Sequence, residues 1–179
     1  QGKALFKSHG VNVLDGVHCT SVEGAVTAYD SLQSKVVAVK SQIHAGGRGK
    51  GNLYLPNTRD LVMEGGVKIA FSREDVMAYA TNILGNLLVT KQTGNEGKLV
   101  NRIYLEAGCE IDREYYLSIL LDRNQSKLMM MVSDAGGVDI EDVAEKTPER
   151  IQYVYFDNLE DFTISDSLQN KLNFSINEF

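Results

Sequence analysis

The sequence predicts an α+β fold built as two lobes, and three observations carry that expectation. Up to about Thr93, segments of helical periodicity alternate with short β-branched or apolar runs. After Val100 the texture changes to alternating, strand-like segments. Two of these, Glu114–Leu121 and Lys127–Ser133, flank Asp122–Arg123–Asn124–Gln125–Ser126, which reads as a hairpin connection. The change between Thr93 and Val100 sets the expected boundary, giving a first lobe over 1–95 and a second over 96–179.

Taken in order, Gln1–His9 reads as a short helix carrying Leu5 and Phe6, stopped by Gly10, which can take the left-handed conformation after a helix end. Thr20 followed by Glu23 has the pattern of a capping box, and Ala25, Ala28, Tyr29 and Leu32 then recur at helical spacing. Val36–Val39 is a brief apolar run ending in Lys40, expected as a buried strand. A glycine-rich basic loop follows, from Ser41 to Lys50. Residues 51–64 have mixed polarity around Pro56 and are expected as a surface loop insertion. Val67–Ala70 is a short strand. Ser72 with Asp75 opens the clearest helix, with Phe71 and Val76 placed as a hydrophobic staple; Tyr79, Ala80, Ile83 and Leu84 form the inward stripe, and Gly85 ends it. Leu87–Thr90 is a further strand candidate.

In the second half, Arg102–Ala107 alternates, placing Ile103 and Leu105 on one face and Tyr104 and Glu106 on the other. A short helix is expected around Ile140–Glu145, ended by Pro148, and Ile151–Phe156 reads as a strand. Leu168 and Leu172 suggest the start of another helix.

Composition narrows the function. The 179 residues are 43% hydrophobic and 23% charged, as in an ordinary globular protein. A net charge of -6 argues against a general nucleic-acid binder, which needs a basic field, while leaving room for one phosphorylated small ligand held by local donors. No stretch is long and apolar enough to span a bilayer. Cys19 and Cys109, with His9, His18 and His44, fall in no metal-ligand spacing, and a reducing setting is expected. The first residue is not methionine, so residues before Gln1 are expected to be missing.

The sharpest chemical feature is Gly46–Gly47–Arg48–Gly49–Lys50. Glycines let backbone approach a ligand and align successive N–H groups as an anion-binding nest, and Arg48 adds a fork of donors. A solvated turn is the competing reading. The run is neither a P-loop nor a dinucleotide fingerprint. Lys40, at the end of an apolar run, can reach a phosphate as a point charge or simply extend to water. Glu106 and Glu114 stand on or beside strands; a carboxylate among apolar residues needs donors or cations, yet alternation alone would leave Glu106 facing solvent. His44 is a weak candidate for catalysis, and Met129–Met131 read as core packing.

The stretch Val39–Lys40–Ser41–Gln42–Ile43–His44–Ala45–Gly46–Gly47–Arg48–Gly49–Lys50 resembles the hallmark segment of the ADP- or GDP-forming succinyl-CoA synthetase β subunits. The likeness continues, in the same order, through Gly65–Lys68, Leu88–Thr93, Leu105–Ala107, Glu114–Leu117 and Ala135–Pro148, and includes the opening Gln1–Phe6. This resemblance implies an ATP-grasp fold, with nucleotide between an N-terminal α+β lobe and a second lobe, here truncated before its C-terminal elements. It implies that Lys40 and Arg48 contact nucleotide phosphates and that Gly47 and Gly49 give backbone access. Glu106 would sit by the nucleotide near the hinge, the backbone at Cys109 would contact the base, and Glu114 would hydrogen-bond the ribose or its surroundings. ATP or GTP and Mg²⁺ are the implied cofactors, with the Mg²⁺ ligands expected downstream of this chain; Ser175–Glu178 is only a superficial echo of that motif. The implied partners are an α subunit, which carries the phosphohistidine, with succinate and CoA as co-substrates, and no nucleic acid or membrane. The isolated chain is expected to be inactive. A bacterial cytoplasm is the expected setting, or a mitochondrial matrix if a transit segment has been removed. A malate–CoA ligase, an ADP-forming acetyl-CoA synthetase or a non-catalytic interaction module are the alternatives.

Overall fold

The computed structural model describes residues 2–158 together with Leu168 and Leu172. By internal packing the chain forms two compact units, Gln1–Glu110 and Ile111–Phe179. Residues 96–110 thus pack with the first unit, because a strand within them runs through the middle of its sheet.

That unit begins with helix α1 (Gly2–Ser8), followed by strand β1 (Gly16–Cys19), helix α2 (Val22–Leu32) and strand β2 (Val37–Ser41). Next come β3 (Asn52–Tyr54), β4 (Leu61–Glu64), β5 (Val67–Ala70), helix α3 (Arg73–Ile83), β6 (Leu87–Val89), β7 (Lys98–Leu99) and β8 (Ile103–Ala107). The strands form two antiparallel sheets, in the orders β1-β8-β2-β5 and β4-β3-β6-β7. Helices α2 and α3 pack on each other and on the first sheet. Cys19, Val37, Val39, Ala70, Ile103 and Leu105 of that sheet share one core with Ala25, Ala28, Val76, Ala80 and Ile83 of the helices. Leu53 and Leu88 of the second sheet complete it.

Local chemistry explains the helices. Ser21, rather than the expected Thr20, caps α2: its hydroxyl accepts from the Gly24 amide at 3.0 Å. Shifted by one residue, the cap no longer places Glu23 at the third helical position that a capping box requires. Ser72 caps α3 as expected, accepting from the Asp75 amide at 3.0 Å, while the Asp75 carboxylate accepts from the Phe71 amide at 2.9 Å. Phe71 stays largely exposed although Val76 is fully buried, so the expected staple does not cover it. Gly85 follows α3 in the left-handed region, at φ 77°.

Residues 51–64, expected as a loop, instead form the β3–β4 hairpin. Leu53 is completely buried in the shared core, which makes the hairpin structural. At its tip, Arg59 takes φ 63° and its guanidinium donates to the carbonyls of Asn95 and Glu96.

The second unit contains β9 (Tyr116–Asp122), β10 (Lys127–Ser133), helix α4 (Ile140–Lys146) and β11 (Ile151–Phe156). Its strands form an antiparallel sheet in the order β11-β10-β9. Met130, Val132 and Phe156 pack with Leu168 and Leu172, both helical, so the expected core role of the methionine run holds for Met130. The Ser175–Glu178 motif lies outside the described residues. Among the described residues no helix is long and apolar enough to cross a membrane.

Candidate functional site

The first sheet has two unlike faces. The register aligns His18, Tyr104 and Lys40 in one row and Gly16, Glu106 and Ala38 in the next, on the face opposite Leu105 and Val39. Lys40 therefore stands diagonally across the β2–β8 pair from Glu106, a separation that a long side chain spans. Its ammonium donates to the Glu106 carboxylate at 2.8 Å, and Lys3 of α1 makes a second ion pair with the same group. The Lys3 ammonium also lies 5.8 Å from the centroid of the Tyr104 ring, within cation–π range. Gly16 makes room for that ring, since a Cβ there would meet Tyr104 at 2.5 Å.

Glu106 is buried, contrary to the solvent-facing position that alternation alone suggested; the parity was right, but α1 and Lys40 supply partners on that face. Burial by itself would push its pKa up. Hydrogen bonds from Lys3 and Lys40, with their charges, outweigh that and hold the carboxyl below the ordinary glutamate value. The carboxylate is ionised near neutrality.

The glycine loop leaves the end of β2 and folds back on it. The Arg48 guanidinium donates to the Ser41 carbonyl at 3.2 Å, which brings Arg48 beside the residue that follows Lys40. Gly47, at φ 70°, precedes a single 3-10 turn over Arg48–Lys50. The loop is pinned from several directions. The Gly46 amide donates to the Gln92 side chain at 2.7 Å, the Gly66 amide to the Arg48 carbonyl at 2.9 Å, and the Gly65 amide to the Gly51 carbonyl at 2.8 Å. A Cβ on Gly66 would meet the Arg48 carbonyl at 2.8 Å, so the loop and the hairpin exit approach too closely for a side chain. The amides of Gly47, Arg48 and Gly49 make no hydrogen bond to any other described residue. A Cβ on Gly49 would meet nothing within 4 Å, so the chain's own packing does not demand glycine there.

Lys40, Gly47, Arg48, Gly49 and Glu106 thus lie in the first unit, on or beside β2 and β8. Cys109 also belongs to it, exposed and unpaired just beyond β8. Glu114 belongs to the second unit and is exposed, ahead of β9. There the Gly136 amide donates to the Glu114 carbonyl at 3.0 Å, and a Cβ on Gly137 would collide with the Glu114 carboxylate. Among the described residues, no group of three or more His, Cys, Asp or Glu is arranged to hold a metal ion. Lys3 and Tyr104 escaped the sequence reading, although the glycine at position 16, inside a strand, signals a close approach.

The chain is 50% identical over 157 residues to the succinate–CoA ligase [ADP-forming] subunit beta of Bacillus cytotoxicus, covering 88% of this chain and 37% of that protein. It is 49% identical over 166 residues to the same subunit of Sinorhizobium medicae, covering 93% and 41%. It therefore spans about two fifths of the length of these curated relatives. Among solved structures, Ca. Korarchaeum cryptofilum ACD1 in complex with coenzyme A superposes with a TM-score of 0.52 at 20% identity, covering 85% of this chain and 56% of that one. ATP citrate lyase from Methanothrix soehngenii, in complex with citrate and coenzyme A, gives 0.52 at 16%, covering 82% and 29%. These likenesses show the fold. The family described as "ATP-grasp domain" matches residues 1–178, nearly the whole of the chain, and the chain belongs to the ATP-grasp family.

Proposed function

We propose that this chain is the nucleotide-binding part of a succinate–CoA ligase beta subunit. With the remainder of that subunit and its alpha partner, it would convert a nucleoside triphosphate, succinate and CoA into the diphosphate, phosphate and succinyl-CoA. The observation that carries the reading is the glycine loop: three consecutive amides without an acceptor among the described residues, beside the Arg48 side chain and the end of the strand that bears Lys40. Such amides form a concave set of donors suited to phosphate oxygens. Gly49 adds to this, since its bare backbone faces open space rather than a packed neighbour.

In this reading Lys40 and Arg48 hold phosphate oxygens, Gly47 and Gly49 let the backbone approach them, and Glu106 sits by the nucleotide, paired with the Lys40 ammonium until a ligand arrives. These groups position the phosphates and offset charge as a phosphoryl group moves, which is most of what phosphoryl transfer asks of a protein. Cys109 and Glu114 are assigned to the base and ribose by likeness to the family alone. Mg²⁺ has no ligand set among the described residues, and no step is routed through it. Identity near one half to subunits named for succinate supports that acid over malate or acetate. The quoted relatives are bacterial, in keeping with a cytoplasmic setting.

Calorimetric titration with ADP and with GDP, each with and without Mg²⁺, tests the proposal. Saturable binding of one nucleotide is expected, weakened at least about tenfold by Arg48→Ala, the scale of one lost charge-assisted contact. Gly49→Ala is expected to weaken binding while leaving the melting temperature unchanged. A folded protein that binds neither nucleotide, or an Arg48→Ala variant that binds as well as the parent, would overturn it.

A further inference from the structure

The cluster on the outer face of the first sheet holds one more positive charge than its carboxylate needs. Glu106 is a single buried anion, its side chain 7% exposed, yet two ammonium groups converge on it. The two lysines are not equivalent. Lys40 lies on β2, whose end carries the Arg48 contact and the glycine loop. Lys3 comes from α1, remote from that loop in sequence, and lies against Tyr104 as well as Glu106. If Lys40 were the sole partner, any anion recruiting it would strand a buried carboxylate without a counter-charge, and much of the binding energy would be lost to that penalty. With Lys3 present, Glu106 stays neutralised when Lys40 turns to a ligand.

We propose that Lys3 is a positioning residue for the anion site: it holds the charge of Glu106 and so releases Lys40 for a nucleotide's phosphates. The inference rests on the nucleotide reading above and extends it to a residue that touches no ligand. It also gives α1 a role, since the helix buries none of its residues and is joined to the sheet by this lysine.

A double-mutant cycle on the full chain tests it, with ADP as the probe. Parent, Lys3→Met, Lys40→Met and the double variant are titrated calorimetrically, each checked for folding by hydrogen exchange at β2 and β8. Lys3→Arg is the conservative control, and Lys3→Gln is read in parallel should methionine disturb α1. Expected is an affinity about tenfold weaker in Lys3→Met and Lys3→Gln and restored to within about threefold in Lys3→Arg. In the Lys40→Met background, removing Lys3 should bring no further loss, because its effect passes through Lys40. Unchanged affinity in folded Lys3→Met or Lys3→Gln would overturn the proposal. So would an equal loss with and without Lys40, the result expected if Lys3 merely docks α1. A parent protein that does not bind ADP or GDP would instead remove the underlying nucleotide reading.

Discussion

Replacing Glu106 by glutamine keeps the side-chain shape and an acceptor oxygen while removing the charge that two lysines share. At 2.8 Å, the attraction between Lys40 and Glu106 is roughly 6 kcal/mol for an effective dielectric near 20, before desolvation is counted. Two features reduce the net value. The carboxylate has left water, and the Lys40 and Lys3 side chains are 33% and 38% exposed, so both can recover hydration when the anion disappears. The loss should therefore fall below the roughly 3–5 kcal/mol of a fully buried pair, at about 2 kcal/mol near pH 7. Hydrogen exchange at the β8 amides reads this directly, as openings about 30-fold more frequent. The effect has a signed pH dependence. The folded-state pKa of Glu106 lies below its unfolded value, so its contribution is complete above that unfolded value and is lost as pH falls through the folded one. Parent and variant should differ at pH 7 and converge in acid. A Glu106→Gln protein whose β8 amides exchange like the parent's at pH 7, or a gap that persists unchanged below the folded pKa, would refute the account of this cluster.

Two further predictions follow from packing. Leu53→Ala removes a completely buried side chain from the β3–β4 hairpin and should cost about 3 kcal/mol, measured by urea denaturation. A loss under about 1 kcal/mol would mean that the hairpin is an appendage rather than part of the core. Gly137→Ala puts a Cβ into the Glu114 carboxylate at a residue with φ 69°. It should cost at least about 1–2 kcal/mol and speed exchange of the Gly136 amide that bonds Glu114; unchanged exchange would show that Glu114 moves aside without penalty.

Much of the first unit was legible in the residues because local chemistry decided it. The Ser72–Asp75 pair marked α3, and of its expected stripe Ala80 and Ile83 entered the core while Tyr79 and Leu84 pack against it, partly buried. The misreadings have physical causes. Pro56 and the polar residues around it dominate 51–64, whereas β3 and β4 are only three and four residues long and bury one full side chain, Leu53. Strand β1 buries only Cys19, too little for a period to show. Thr20 and Ser21 are adjacent hydroxyls, and the choice of cap between them depends on where the backbone turns. For the candidate site, the glycine loop could be read as an anion nest from local residues alone. Glu106 could not be placed, because its partners lie far away in sequence and one of them, Lys3, stands in a helix none of whose residues is buried.

The order β1-β8-β2-β5 has a consequence for how the chain comes to be folded. Strand β8 is last in sequence among these four, yet it lies between the first two, and among the described residues β1 has no other neighbour in the sheet. During synthesis, β1 and one edge of β2 must wait unpaired until Ala107 has emerged. Contacts of such long sequence separation close slowly, and the waiting edges are open to wrong partners in the meantime. Only when β8 slots in does Glu106 meet Lys40, so the charge cluster cannot guide early folding and forms with the closing strand. Nascent chains ending just before Ile103 should therefore hold the helices and the β4-β3-β6-β7 sheet without a complete first sheet and depend on chaperone cover, while chains extended past Ala107 can close it.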